Sequence, residues 1–201
     1  MRTVLRYTLV VPEYRRAFVP GGTFFFTLVT EGRAPILTTA LARDCLRAAF
    51  RETLARWPFD VRAIVLLPDH LHTIWTLPDD ETDFSVRWGF LKKQFTRSWL
   101  AAGGTERSTS ASRARNRRRG VWQRRFWEHT IREEADLVHH CDYIHYNPVK
   151  HGVAACPHVW PHSSFQRFVR EECYEADWLC VCRGKTPDSV RFDDLATTAM
   201  E

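Results

Sequence analysis

Two well-separated segments hold the side chains of this sequence that could carry out covalent chemistry. The first is Pro68-Asp69-His70-Leu71-His72, two histidines around one bulky apolar residue. The second is Tyr143-Ile144-His145-Tyr146-Asn147-Pro148, with a tyrosine four residues before an asparagine. Two imidazoles at i and i+2 can grip one divalent cation. An asparagine oxygen is a third ligand, and a phenol is a nucleophile. Together they are the parts for cutting and rejoining a phosphodiester bond without an external water. Each segment alone has a plainer reading: surface histidines on a half-exposed strand, or a partly buried tyrosine beside a helix-end asparagine. Short motifs match often by chance, so the weight lies on the combination.

The neighbouring residues say which elements must position these groups. Val61 to Leu67 is β-branched and apolar, Pro68-Asp69 makes a turn, and His70 to Leu77 reads as the returning strand. Side chains alternate faces along a strand. Leu71, Thr73, Trp75 and Leu77 therefore share one face, and His70 and His72 share the other. Residues 133–147 read as a helix, with Glu133 and Glu134 in its first turn, where acids suit the helix dipole. Leu137, Cys141 and Ile144 form its buried stripe. Tyr143 and Asn147 lie one turn apart on a shared face, and Pro148 is expected to stop the helix after Asn147.

The remaining elements follow by the same patterns. A strand is expected over Thr23–Thr30 and a helix over Thr38–Trp57, its apolar side formed by Leu41, Cys45, Ala48 and Ala49. A second helix over Asp83–Leu100 carries Phe84, Trp88, Leu91, Phe95 and Trp99 as a core stripe, with Lys92, Lys93 and Arg97 facing out. A short strand falls within 121–131 and a last short helix over Ser163–Glu172. Adjacent antiparallel strands and irregular alternation favour an α+β class, an antiparallel sheet with packed helices.

The ordered set Pro68-Asp69-His70-Leu71-His72, Trp122-Gln123-Arg124-Arg125-Phe126-Trp127-Glu128-His129 and Tyr143-Ile144-His145-Tyr146-Asn147-Pro148-Val149-Lys150 resembles the REP-associated tyrosine transposases. These belong to the HUH single-strand transposases, named for two histidines around a hydrophobic residue. Tyr14-Arg15-Arg16, Pro20 to Thr27 and Trp160 to Phe165 agree as well, so the resemblance spans about 14–174. Residues 1–13 then form an N-terminal extension, and 175–201 a C-terminal tail. The resemblance implies a ferredoxin-like HUH fold in one domain. It makes His70, His72 and Asn147 the metal ligands and Tyr143 the nucleophile, leaving a 5′-phosphotyrosine and a free 3′ hydroxyl. Some members carry Asn where this chain has Asp69. The stored bond energy lets the reverse reaction join a new end. Two imidazoles and one amide oxygen suit Mg²⁺ or Mn²⁺, although imidazoles also take Zn²⁺.

Composition agrees with a nucleic-acid enzyme without identifying one. The 201 residues suffice for one well-buried domain. Residues 103–125 hold eight arginines (107, 113, 115, 117, 118, 119, 124 and 125) against the single acid Glu106. Against a whole-chain charge of +5, the remainder is slightly acidic. Arg117, Arg118, Arg119, Arg124 and Arg125 are therefore the candidate phosphate contacts. Trp122 is a candidate stacking surface for an unpaired base, or else a buried ring beside a solvated loop. The expected partner is single-stranded or hairpin DNA, bound by a monomer or homodimer. No stretch reads as an export signal or a membrane span, and a bacterial cytoplasmic, nucleoid-associated location is expected. Cys45 and Cys141 read as buried thiols. Cys173, Cys180 and Cys182 lack the usual zinc-ligand spacing, so a small structural zinc site there is the lesser alternative and free thiols are the default. Two other functions compete: a hairpin-binding regulator without catalysis, and a metal-dependent hydrolase in which Tyr143 is structural. A covalent protein–DNA adduct separates the transposase from both.

Overall fold

The computed structural model describes residues 19–180 apart from 110, 111, 113, 114 and 116–118. Tyr14-Arg15-Arg16, Arg117, Arg118 and Cys182 therefore lie outside the described residues. The elements in chain order are β1 (Thr23–Val29), α1 (Ala40–Arg56), β2 (Asp60–Leu66), β3 (His70–Thr76), α2 (Phe84–Ala101), β4 (Trp127–Ile131), α3 (Glu134–Lys150) and α4 (Phe165–Arg170). Short 3-10 turns occupy Glu31–Arg33 and Pro157–Val159. The strands form one four-stranded sheet in the order β2-β3-β1-β4, with every neighbouring pair antiparallel. This is the split βαβ arrangement of ferredoxin-like proteins, with an added helix, α3. The α+β expectation holds.

The strand period decides which helix covers which face. Phe24, Phe26 and Leu28 of β1 and Leu71 and Trp75 of β3 are buried against α1 and α2. Trp75 stacks on Trp88 of α2 with ring centroids 3.8 Å apart. Phe25, Ala63, Val65 and Ile74 point the other way, into a second apolar cluster with Cys141, Tyr143 and Ile144 of α3. The sheet is thus covered on both sides, and β3 is buried along nearly its whole length. His70 and His72 are accordingly not on a half-exposed strand: they are 2% and 0% exposed.

Capping explains where the first helices begin. Thr39 Oγ1 accepts from the Ala42 backbone N–H, opening α1, and Asp83 Oδ1 accepts from Ser85 and Val86, opening α2. The α2 stripe is buried as the spacing requires. The α1 stripe is rotated by about one position, through Ala42, Cys45, Leu46 and Ala49, while Leu41 is exposed. Leu46 follows Ala42 by one turn and brings more apolar area inward than Leu41 would. Helix α3 does not stop at Asn147: it runs to Lys150 with Pro148 inside it. A proline so near a helix end withholds one backbone hydrogen bond, which the ring's burial helps offset. The free-thiol expectation fails at one place, because Cys156 and Cys180 are joined by a disulfide. Cys45, Cys141 and Cys173 are free. No described helix is long and apolar enough to cross a membrane.

Candidate active site

The sheet register brings His70 and His72 beside α3. β3 pairs with β1 so that His72 lies opposite Thr27 and His70 opposite Val29. The two imidazole centroids are 5.0 Å apart. The His72 ring lies on Phe25, with centroids 5.4 Å apart and planes 21° from parallel. Tyr143 meets His72 edge-on at 5.2 Å between centroids, and its own edge contacts Phe25 at 5.9 Å. Asn147 follows one helical turn later and is fully buried, as Tyr143 is. The four residues singled out by spacing therefore sit on one sheet face and the helix that covers it. Tyr146 is partly buried beside the same apolar cluster.

Each histidine is held at Nδ1. Asp69 Oδ1 lies 2.6 Å from His70 Nδ1, and Thr27 Oγ1 lies 2.9 Å from His72 Nδ1. Asp69 also accepts from Arg33 at 3.0 Å. Burial pushes the Asp69 carboxyl up, but the hydrogen bonds and charges of His70 and Arg33 more than offset this and hold it at about 2. An ionised Asp69 keeps a proton on His70 Nδ1, which leaves Nε2 as the lone-pair atom. His70 Nε2, His72 Nε2 and Asn147 Oδ1 are all buried polar atoms. The Tyr143 hydroxyl has a cation beside it: Lys150 Nζ lies 3.4 Å from the phenolic oxygen and 4.9 Å from the ring centroid.

Sequence reasoning missed three contributors. Asp69 passed as a minor variant, although it orients His70. Thr27 is remote in sequence and meets His72 only through β1–β3 pairing. Lys150 lies seven residues after Tyr143, a same-face spacing. Ending the helix at Asn147 hid it.

Arg119 and Arg124, from the arginine-rich region, lie by α2, on the other face of the sheet. A cleft of about 780 Å³ is lined there by Lys92, Lys93, Arg97, Arg119, Arg124 and Trp122, among others. Arg119 is tied back to Glu106, and Glu106 also accepts from the Gly120 backbone N–H at 2.9 Å. These contacts hold the Glu106 carboxyl below its usual range, the Arg119 hydrogen bond first among them. The Arg107 N–H donates to the Gly120 carbonyl at 2.9 Å, which closes a neck at the base of the segment. A Cβ on Gly120 would lie 1.9 Å from the Arg107 oxygen, so only glycine fits this approach. Arg124 and Arg125 are exposed. Trp122 is not: it is 4% exposed, with its ring against Phe95 at 5.0 Å. Its expected stacking role gives way to packing, because the indole completes the α2 core.

Comparison with known proteins places this geometry. No protein-family model matches the chain. The chain is 42% identical over 176 residues to a putative REP-associated tyrosine transposase of Haemophilus influenzae, covering 88% of this chain and 95% of the relative. It is 43% identical over 167 residues to the REP-associated tyrosine transposase of Escherichia coli K12, covering 83% and 90%. A solved REP-associated tyrosine transposase bound to a REP hairpin superimposes with a TM-score of 0.70 at 43% identity, covering 84% of this chain and 91% of that one. With that identity sustained over most of both chains, this protein belongs to the REP-associated tyrosine transposases.

Proposed function

We propose that this protein binds REP-like DNA hairpins and cuts and rejoins single-stranded DNA through a covalent 5′-phosphotyrosine at Tyr143, with a divalent cation held by His70, His72 and Asn147. One observation carries the reading: the edge of Tyr143 lies against His72, with His70 beside it. The solved relative bound to a REP hairpin supports the choice of DNA substrate.

The residues fit a hard divalent ion. Asp69 and Thr27 engage the Nδ1 atoms, so both Nε2 lone pairs are available when Nδ1 carries the proton. Asn147 Oδ1 adds an oxygen, and three protein ligands leave positions for phosphate oxygens. Bound there, Mg²⁺ or Mn²⁺ would withdraw charge from the scissile phosphate.

The remaining work belongs to this chain's own groups. A tyrosine hydroxyl ordinarily titrates near ~10, so at neutral pH it is a weak nucleophile. Lys150, 3.4 Å from that oxygen, stabilises the phenolate as it forms. The Tyr143 oxygen attacks phosphorus, the bond to the 3′ oxygen breaks, and that oxygen takes up a proton. The 5′ phosphate is left on the phenol. In the reverse step a 3′ hydroxyl attacks phosphorus and expels the phenol, which regains its proton. Phe25 and His72 pack against the ring, and the phenol oxygen takes the place of a water nucleophile. Arg117, Arg118, Arg119, Arg124 and Arg125 are assigned to phosphate contacts, and Lys93 and Arg97 line the same cleft as Arg119 and Arg124.

The test uses end-labelled hairpin DNA with a single-stranded flank and Mn²⁺. Wild type is expected to give a denaturation-resistant protein–DNA adduct. His72→Ala should bind the hairpin and form none. Cleavage without an adduct in wild type would instead favour the hydrolase, and hairpin binding without cleavage would favour the regulator.

A further inference from the structure

Away from the histidine–tyrosine site, a second group of ligand atoms gathers where the C-terminal segment meets the chain just after α3. We propose that Cys156, His158 and Cys180 form a structural zinc site in the reduced protein. Their ligand atoms all lie within 4.8 Å of one another. Tetrahedral zinc with Zn–S bonds of ~2.3 Å needs sulfurs about 3.8 Å apart, so the two sulfurs separate once the bond between them is reduced, and the three protein donors leave one position for water. Both cysteines are buried, at 1% and 4% exposure. His158 Nδ1 is a buried nitrogen without a hydrogen bond. The His158 carbonyl is held by Gln166 Nε2 at 2.7 Å, which fixes the turn that presents the ring. Cys156 and His158 stand two residues apart, so one short segment presents two of the three donors.

In the structure the two sulfurs are bonded to each other. If the protein processes DNA as proposed, it works where thiols are kept reduced, and stable disulfides are rare there. A cellular dithiol delivers two electrons and two protons to the Cys156–Cys180 bond and leaves as a disulfide. The two protein thiols then lose their protons as Zn²⁺ binds. Thiolate pairs with an imidazole select zinc over the hard ions suited to the histidine–asparagine site.

The site would fasten an aromatic cap behind the nucleophile helix. Tyr174 donates to Asp142 Oδ1 at 2.6 Å and packs on His145, both in α3. Trp178 packs on Tyr174 at 4.5 Å, and Cys180 follows two residues later. Joining Cys180 to Cys156 and His158 closes the cap onto the chain leaving α3.

The experiment uses the full chain, purified under reducing conditions, stripped of metal and titrated with Co²⁺. Thiolate ligation gives a sulfur-to-cobalt charge-transfer band that imidazole and amide ligands cannot give. One equivalent of this band is expected in wild type and in the His70→Ala/His72→Ala double variant. It should vanish in Cys156→Ser and Cys180→Ser. His158→Ala changes a partly exposed turn residue, so folding should survive. Its zinc affinity should fall by more than ~100-fold, beyond the range for outer-shell partners. His158→Cys should restore it. No band in reduced wild type, or zinc affinity unchanged in His158→Ala, would overturn the proposal. Adduct formation on DNA is scored separately, so failure of this site is distinguishable from failure of the transposase reading.

Discussion

The two faces of the sheet show two ways of building a candidate functional surface. On the α3 side, His70, His72, Tyr143 and Asn147 are all buried and each is fixed by regular structure. Their neighbours, Thr27, Phe25 and Asp69, are set by strand register and turn geometry. On the α2 side, the basic groups line an open cleft, where Arg119 pairs with Glu106 and Lys92 donates to the Gln123 carbonyl. Bond-breaking chemistry needs atoms held to a fraction of an ångström, and buried strands and helices provide that. Phosphate attraction falls off slowly with distance and tolerates mobile side chains. Precision belongs to the first face, and charge to the second.

The largest effect should come from one oxygen atom on the precise face. Tyr143→Phe keeps the ring against His72 and removes only the hydroxyl. It should bind hairpin DNA and metal normally and form no covalent adduct. Tyr146→Phe should still form it. A phosphopeptide map placing the DNA on Tyr146 would break the assignment.

A smaller loss should follow from the cation beside that oxygen. Lys150→Met keeps the aliphatic stem over the ring and removes the charge. Single-turnover adduct formation should slow by about tenfold, equivalent to ~1.4 kcal/mol, and the loss should shrink as pH rises toward that of free phenol ionisation. A pH-independent defect would mean that Lys150 serves DNA binding instead.

On the charged face, changes should be graded and insensitive to sequence. Alanine at Arg117, Arg118 and Arg119 together should weaken binding to all DNA tested. For every phosphate that is no longer neutralised, the slope of log K against log salt should fall by ~0.7 to 0.9. Arg119 is already engaged by Glu106, so Arg119→Ala alone should contribute least. An unchanged slope in the triple variant would leave the segment a solvated loop.

The smallest effect tests burial on the α3 side. Burial first, then the Asp142 charge, pushes the Cys141 thiol up to about 12. Its folded value lies above the ordinary 9.0. Its contribution to stability is therefore complete below pH 9 and declines as pH rises toward 12. At pH ~8, below the ordinary thiol value, iodoacetamide should modify exposed Cys173 and leave Cys141 untouched. Equal labelling would show that α3 opens readily.

Four residues of the candidate site, His70, His72, Tyr143 and Asn147, and the faces they occupy, were legible before any fold was known. A period of two places His70 and His72 together on β3. A period near four places Tyr143 and Asn147 together on α3. Both are local geometry. The aromatic stripe of α2 was legible for the same reason. Long-range packing was needed to bury the histidine face under α3, to bring Thr27 to His72 and to make Trp122 part of the core. It was also needed to bring Cys156 to Cys180. These contacts join residues far apart in sequence, and no local pattern encodes them. The end of α3 fell between the two cases. Pro148 is a strong local stop signal, but packing carried the helix about one turn further and set Lys150 beside the Tyr143 oxygen.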